Sequence, residues 1–250
     1  MKFYRRIALG LFGVIFVTLQ ACNQEKSSLS CNSKSNYSDA SVYKPCKEFV
    51  FNAIYWRQDE LISEEKISIF ITGNSWNYDS SQVEVLHIYE FDFDDSSIEK
   101  IRLYGINKEI NNRDWVKQSS SGIIDDKSIV FLHPFRDNQY YFTEIAPFPQ
   151  INHPLHVGKS WSAALNIGGG WGEWDGQRLE TSYQVVSSEP ITINDYVFEN
   201  CWKISSSATS DFGVSHLTMW YNEEFGFVKL IYVTYADQVL QLELQEVVNH

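Results

Sequence analysis

The sequence predicts a mainly β fold: an antiparallel strand meander forming a curved sheet, half-barrel or sandwich, with little helix. Three observations carry this. Apolar and polar residues alternate, as in Tyr89, Phe91 and Phe93 against Glu90, Asp92 and Asp94, or Ile67, Ile69 and Ile71 on one face. Short polar turns such as Asn194-Asp195 and Asn222-Glu223-Glu224 recur at hairpin spacing. No segment sustains the 3.6-residue period of a long amphipathic helix. Aromatic residues make up 15% of the chain, enough for a substantial core and against disorder outside a tether.

The chain opens with a positive segment, Lys2, Arg5 and Arg6, and then an uncharged apolar run from Ile7 to Leu19. That run is shorter than the roughly 20 residues of a spanning helix and fits the apolar region of an export signal. It ends in Leu19-Gln20-Ala21-Cys22, which resembles the lipobox of bacterial lipoproteins. The resemblance implies a diacylglycerol on the Cys22 thiol, cleavage after Ala21 and acylation of the new amine. Two or three acyl chains, at about 0.8 kcal/mol per buried CH₂, hold firmly where one is marginal. An ordinary cleaved signal with an incidental cysteine is the alternative. The expected address is the bacterial cell envelope, lipid-anchored to a membrane, with the outer membrane (periplasmic or surface face) favoured over the inner. Residues 1–21 are then a lipoprotein signal peptide and 22–44 a flexible tether. Residues 45–150 form an N-terminal β portion and 151–250 a C-terminal β meander, or the two form one continuous domain.

Within the tether side, Cys31 and Cys46 lie near each other in sequence, and export permits a disulfide between them. Cys201, in the apolar run "FENCWKIS", is expected as a buried inert thiol. The stretch from Lys47 to Lys66 reads either as a helix with Phe49, Ala53 and Trp56 on one face or as a strand and turn; its aromatic first half favours strand. "KSIVFLHPF" and "QYYFTEIAPF" read as strands joined by a turn at Arg136-Asp137-Asn138. Pro147, Pro149 and Pro154 forbid a regular ladder and mark an extended crossover. From Pro154 onward, the Pro-Leu-x-x-Gly-x-x-Trp entry ending at Trp161 and the Gly226-Phe227-Val228-Lys229 strand resemble secreted bacterial β-rich proteins of unknown function. That resemblance implies a fold and no activity.

Removal of 21 residues from 250 takes away three positive and no negative charges, so the net charge moves from −12 to −15. Such a surface repels phosphate backbones, which argues against nucleic acid and against anionic headgroups bound by charge. The expected partner is the membrane, through the N-terminal lipid.

The densest candidate site is "NIGGGWGEWDGQR", Asn166 to Arg178. A dinucleotide fingerprint fails, because glycine would be required at Glu173 or Asp175. "VGKS" from Val157 fails as a phosphate loop, because its first glycine falls on His153. Two readings remain. Trp171 and Trp174, with Glu173 and Asp175, stack and hydrogen-bond a sugar, or they belong to a glycine-rich hairpin whose tryptophans cover a sheet edge; the hairpin is the favoured one. Asp92, Asp94 and Asp95 miss the calcium-loop spacing at Ser97 and Leu103. His153 and His156 flank a proline and have no third ligand nearby in sequence. Asp211-Phe212-Gly213 lacks every companion kinase motif. No cofactor, metal or catalytic residue is expected.

Three function classes follow. The first is a non-catalytic binding module for an apolar or amphiphilic ligand, analogous at the level of fold to LolA/LolB-like proteins. The second is a protein-partner role, as an assembly factor or an inhibitor or immunity lipoprotein steered by its acidic surface. The third is a carbohydrate-active enzyme. The anchor itself is directly testable: Cys22→Ser is expected to block lipidation and cleavage after Ala21, so that the uncleaved precursor, still carrying its apolar leader, replaces the mature lipoprotein on immunoblots of fractionated cells.

Overall fold

The computed structural model describes residues 29–33 and 42–250. The leader 1–21, Cys22 and most of the 22–44 tether lie outside the described residues. The first six strands are β1 (Lys47–Arg57), β2 (Glu60–Ser75), β3 (Val83–Glu90), β4 (Gln118–Asp125), β5 (Ile129–Leu132) and β6 (Gln150–Asn152). The second six are β7 (Ser160–Asn166), β8 (Arg178–Ile193), β9 (Tyr196–Ser210), β10 (Gly213–Asn222), β11 (Gly226–Val233) and β12 (Gln238–Asn249). They form one antiparallel 12-stranded sheet in the order β6-β5-β4-β3-β2-β1-β12-β11-β10-β9-β8-β7. Two six-strand meanders are therefore fused along a ladder between the first strand and the last, with Phe49 opposite Val247 and Tyr55 opposite Leu240.

The edges of this sheet, β6 and β7, are joined only by residues 153–159. Laid flat, twelve strands about 4.8 Å apart would separate those edges by roughly 53 Å. The link reaches at most about 29 Å. The sheet must therefore curl, and it forms a nearly closed barrel. Across the gap, Tyr183 donates to the Phe148 carbonyl at 2.9 Å, and Lys159 Nζ donates to the Asn152 carbonyl at 2.6 Å.

Alternation decides what fills the barrel. Phe49, Phe51, Ala53 and Tyr55 of β1, Ile67, Ile69 and Ile71 of β2, and Leu240, Leu242 and Leu244 of β12 all point inward and are buried. Full burial of one such aliphatic or phenylalanine side chain contributes about 1.5–3 kcal/mol. The ambiguous stretch from Lys47 is strand, turn and strand, with Gln58 and Asp59 at positive φ in the turn.

Two connections depart from the expected strands. Alternation past Glu90 stops because Asp94 caps a helix, α1 (Asp95–Arg102), accepting from the Ser97 amide at 2.8 Å. A second short helix, α2 (Lys108–Asn111), follows before β4. "QYYFTEI" is a 3-10 helix, Asn138–Ile145, in place of the expected strand. It lies inside the barrel, so all seven residues from Gln139 to Ile145 are buried, the polar Gln139, Thr143 and Glu144 among them, and no face meets solvent. Among the described residues no helix is long and apolar enough to cross a membrane.

The barrel thus has a helical end, with both insertions, and a tethered end, where the chain enters β1 and leaves β12. At the tethered end Cys31 and Cys46 are joined by a disulfide with Cα atoms 5.3 Å apart. The Asn32 amide donates to the Thr72 carbonyl at 2.6 Å. Val42 and Tyr43, assigned to the tether by composition, are core residues at 0% and 1% exposure. Their amides both donate to Asp125 Oδ2 at 2.8 Å, and the Tyr43 hydroxyl accepts from the Phe227 amide at 2.9 Å. The folded body therefore begins at least as early as residue 42, and this segment stitches β4 to β11.

Gly226 makes that stitch possible. It sits at φ 76°, and a Cβ there would lie 2.4 Å from the Tyr43 hydroxyl oxygen. Gly158 has φ 85° but open space around it. Gly158→Ala is expected to cost only left-handed backbone strain, about 1–2 kcal/mol. Gly226→Ala should lower the melting temperature clearly further, because the buried tyrosine ring must also move; thermal unfolding followed by circular dichroism compares the two.

Candidate functional site

The glycine–tryptophan stretch closes the helical end. It forms the β7–β8 hairpin, with a 3-10 turn at Gly172–Trp174. The Asp175 carboxylate folds the hairpin by accepting from the Gly170 amide at 3.2 Å and from the Trp171 amide. Trp174 is fully buried and packs on Tyr141, ring centroids 5.7 Å apart. Trp171 is half-buried between the guanidinium groups of Arg113 and Arg136, 5.4 and 5.9 Å from its ring. Asn107 Nδ2 donates to the Trp171 carbonyl at 2.8 Å, tying the hairpin to α2. Glu173 is exposed. The four residues are adjacent, but Trp174 offers no ring face, so the pair forms no stacking platform. The hairpin works as a plug.

A polar seam runs inside the barrel on the β2–β4 side. His87 and Ser121 approach at 3.0 Å, each 1% exposed. Asp137 accepts from Tyr89 at 3.0 Å and from Ser119, not from His87, whose Nδ1 has no hydrogen-bond partner. A serine–histidine pair without an orienting acid and without access lacks the geometry of an activated nucleophile. Burial, reinforced by the Arg136 charge, pushes both the His87 and His133 imidazoles down to about 3. Glu65 accepts from Tyr140 and Gln139 through Oε1, while Oε2 has no partner. Burial drives its carboxyl up to about 7 despite those two donors. Among the described residues no group of three or more His, Cys, Asp or Glu is placed to hold a metal.

One apolar surface is marked by no sequence motif. β8 and β9 outrun their neighbours: β10 ends beside Trp202, while β9 begins six residues earlier at Tyr196. Two bulges, Val185/Ser187 and Glu189/Ile191, bend this overhang across the tethered end until Asn194 Nδ2 donates to Gln245 of β12 at 2.6 Å. Beneath it Tyr196, Phe198 and Phe225 form an aromatic cluster with centroids 4.6 to 6.1 Å apart. They line a mainly apolar cleft of about 210 Å³ with Leu244 and Val247. The same three rings line an adjoining depression of about 580 Å³ that extends to Trp202 and Asn222. Glu199, Glu223, Glu224 and Glu246 edge the two. Cys201 lies buried under the overhang, its thiol near the Phe198 carbonyl at 3.4 Å, and burial pushes its titration upward.

No family model matches the chain, and no curated protein is similar to it. Three solved structures are similar in fold. A candidate exported protein with a YmcC-like fold from Bacteroides fragilis shares 10% identity over 84% of this chain and 99% of its own, with a TM-score of 0.47. A candidate lipoprotein from Parabacteroides distasonis shares 12% over 88% and 100%, TM-score 0.41. A LolA superfamily protein from Nitrosomonas europaea shares 7% over 82% and 86%, TM-score 0.29.

The Glu65 environment makes a pH prediction. Its folded value is raised, so its contribution to stability is complete below the unfolded value near 4.5 and is lost as pH rises through about 7. The loss corresponds to about 3 kcal/mol. Glu65→Gln should remove it: between pH 5 and 8 the wild type is expected to lose stability relative to the variant by about that amount, read from denaturant unfolding at each pH.

Proposed function

We propose that this chain is a lipid-anchored envelope protein whose body is a non-catalytic binding module, and that an amphiphilic ligand enters the aromatic cleft under the β8–β9 overhang. The observation that carries this reading is the pairing of an apolar slot, lined by Phe198, Phe225, Leu244 and Val247, with an acidic edge of Glu199, Glu223, Glu224 and Glu246. An aliphatic tail gains by leaving water in such a slot. The carboxylates favour a cationic or hydrogen-bond-donating head, and the mature charge of −15 concentrates cations around the body. The two depressions together fall in the size range of small-molecule sites. A basic, apolar-tipped segment of a protein partner is the second reading, favoured by the same acidic edge. The carbohydrate reading loses its platform with the burial of Trp174.

Calorimetric titration of the full chain with dodecyltrimethylammonium, below its micellar concentration, tests the cleft. Saturable binding with a negative heat-capacity change is expected. Phe225→Ala should weaken it about tenfold, the loss expected for truncating a half-buried ring. Dodecyl sulfate, with the same tail and the opposite head, should bind more weakly than the cation. Equal affinity in Phe225→Ala, or no saturable binding, would refute the assignment.

A further inference from the structure

Among the described residues eight large apolar side chains are strongly exposed: four lie on the tethered rim, three (Leu61, Leu103 and Val214) are spread over the helical end, and Val186 lies between. Tyr78, 87% exposed, tips the β2–β3 turn, and Val157, 58%, tips the β6–β7 link. Tyr196 and Val197, 54% and 46%, follow the β8–β9 turn. Every connection at this end is a short turn or link, whereas the helices and the Trp174 hairpin occupy the other end.

The length of chain between Cys22 and the body decides what this rim meets. The disulfide holds Cys31 to Cys46 at the start of β1, and Asn32 is hydrogen-bonded to β2. Nine residues separate Cys31 from Cys22, a span of at most about 32 Å. Measured to Val42, the first core residue, the interval would be twenty residues and about 70 Å. The disulfide therefore more than halves the reach. Strands of 11 to 16 residues, tilted as barrel strands are, put the helical end about 28–40 Å farther out, at or past the limit of that reach.

Resting on the lipid-anchor reading above, we infer that the tethered rim docks on the surface of a neutral bilayer, with Tyr78, Val157, Tyr196 and Val197 entering the boundary between headgroups and acyl chains. Tyrosine suits that boundary, with an apolar ring and a polar hydroxyl. The lipid is neutral because the Glu223-Glu224 turn lies on the same rim and the mature body carries −15. The ligand cleft opens on this rim too, so an amphiphile reaches it from the membrane without crossing water.

Amide hydrogen exchange on the full lipidated chain in phosphatidylcholine vesicles tests the docking. The turns 76–82, 155–158 and 194–198 should exchange about tenfold more slowly than in an unlipidated chain that begins at residue 22 with Cys22→Ser, while the helical-end turn 234–237 should not change. Tyr78→Ser with Val157→Ser, both outside the cleft and both exposed, should abolish that protection while the protein still floats with vesicles and still binds dodecyltrimethylammonium. A chain that floats but shows no protected rim overturns the docking and leaves the anchor standing. A chain with Cys22 intact that fails to float overturns both.

Discussion

The link between β6 and β7 governs the molecule. Seven residues must join strands at opposite edges of a twelve-stranded sheet, so the sheet curls into a nearly closed barrel whose two edges approach without a ladder between them. Closure gives the chain an inside narrow enough for Phe51, Tyr55, Tyr89 and Tyr232 to fill. Pro154 and Gly158 in the link suit this task, because the segment must turn a corner without entering the ladder.

Both ends of the barrel are then finished by unlike devices. The helical end is filled from within by the 3-10 helix Asn138–Ile145 and by Trp174, with Tyr141 receiving the amides of Ile106 and Asn107 at 2.7 and 3.2 Å. The tethered end is roofed by a strand overhang and sewn by Tyr43. The second device leaves the aromatic cleft, where the overhang meets β12 through Asn194 and Gln245. The cleft is a by-product of that geometry, and it faces the side on which the chain emerges.

Much of the strand content was readable from alternation, since a one-faced strand writes its burial into every second residue: Ile67, Ile69 and Ile71 show it, as do Leu240, Leu242 and Leu244. Residues 139–145 read as strand because the helix is buried on all sides: its polar residues Gln139, Thr143 and Glu144 are bonded inside the protein, and no solvent face marks its period. Trp171 and Trp174 were correctly located in a turn, yet their exposure depended on α2 and Tyr141, distant in sequence. The cleft left no local trace. Phe198, Phe225 and Leu244 are brought together by unequal strand lengths and two bulges, neither of which composition records. The turns Asn194-Asp195 and Asn222-Glu223-Glu224 were the nearest available signal, marking where the strands stop.

The pairing of β1 with β12 has a kinetic implication. Lys47 lies opposite Asn249, so the opening strand has its proper neighbour only after the final residues have been delivered. Until then one flank of β1 is a bare row of amides and carbonyls, and the interior beneath Phe49 and Phe51 stays wet. Loop closure over such a distance is slow. Assembly of the full sheet is therefore expected to be slow, because the ladder that joins its two halves cannot close before the last strand is in place.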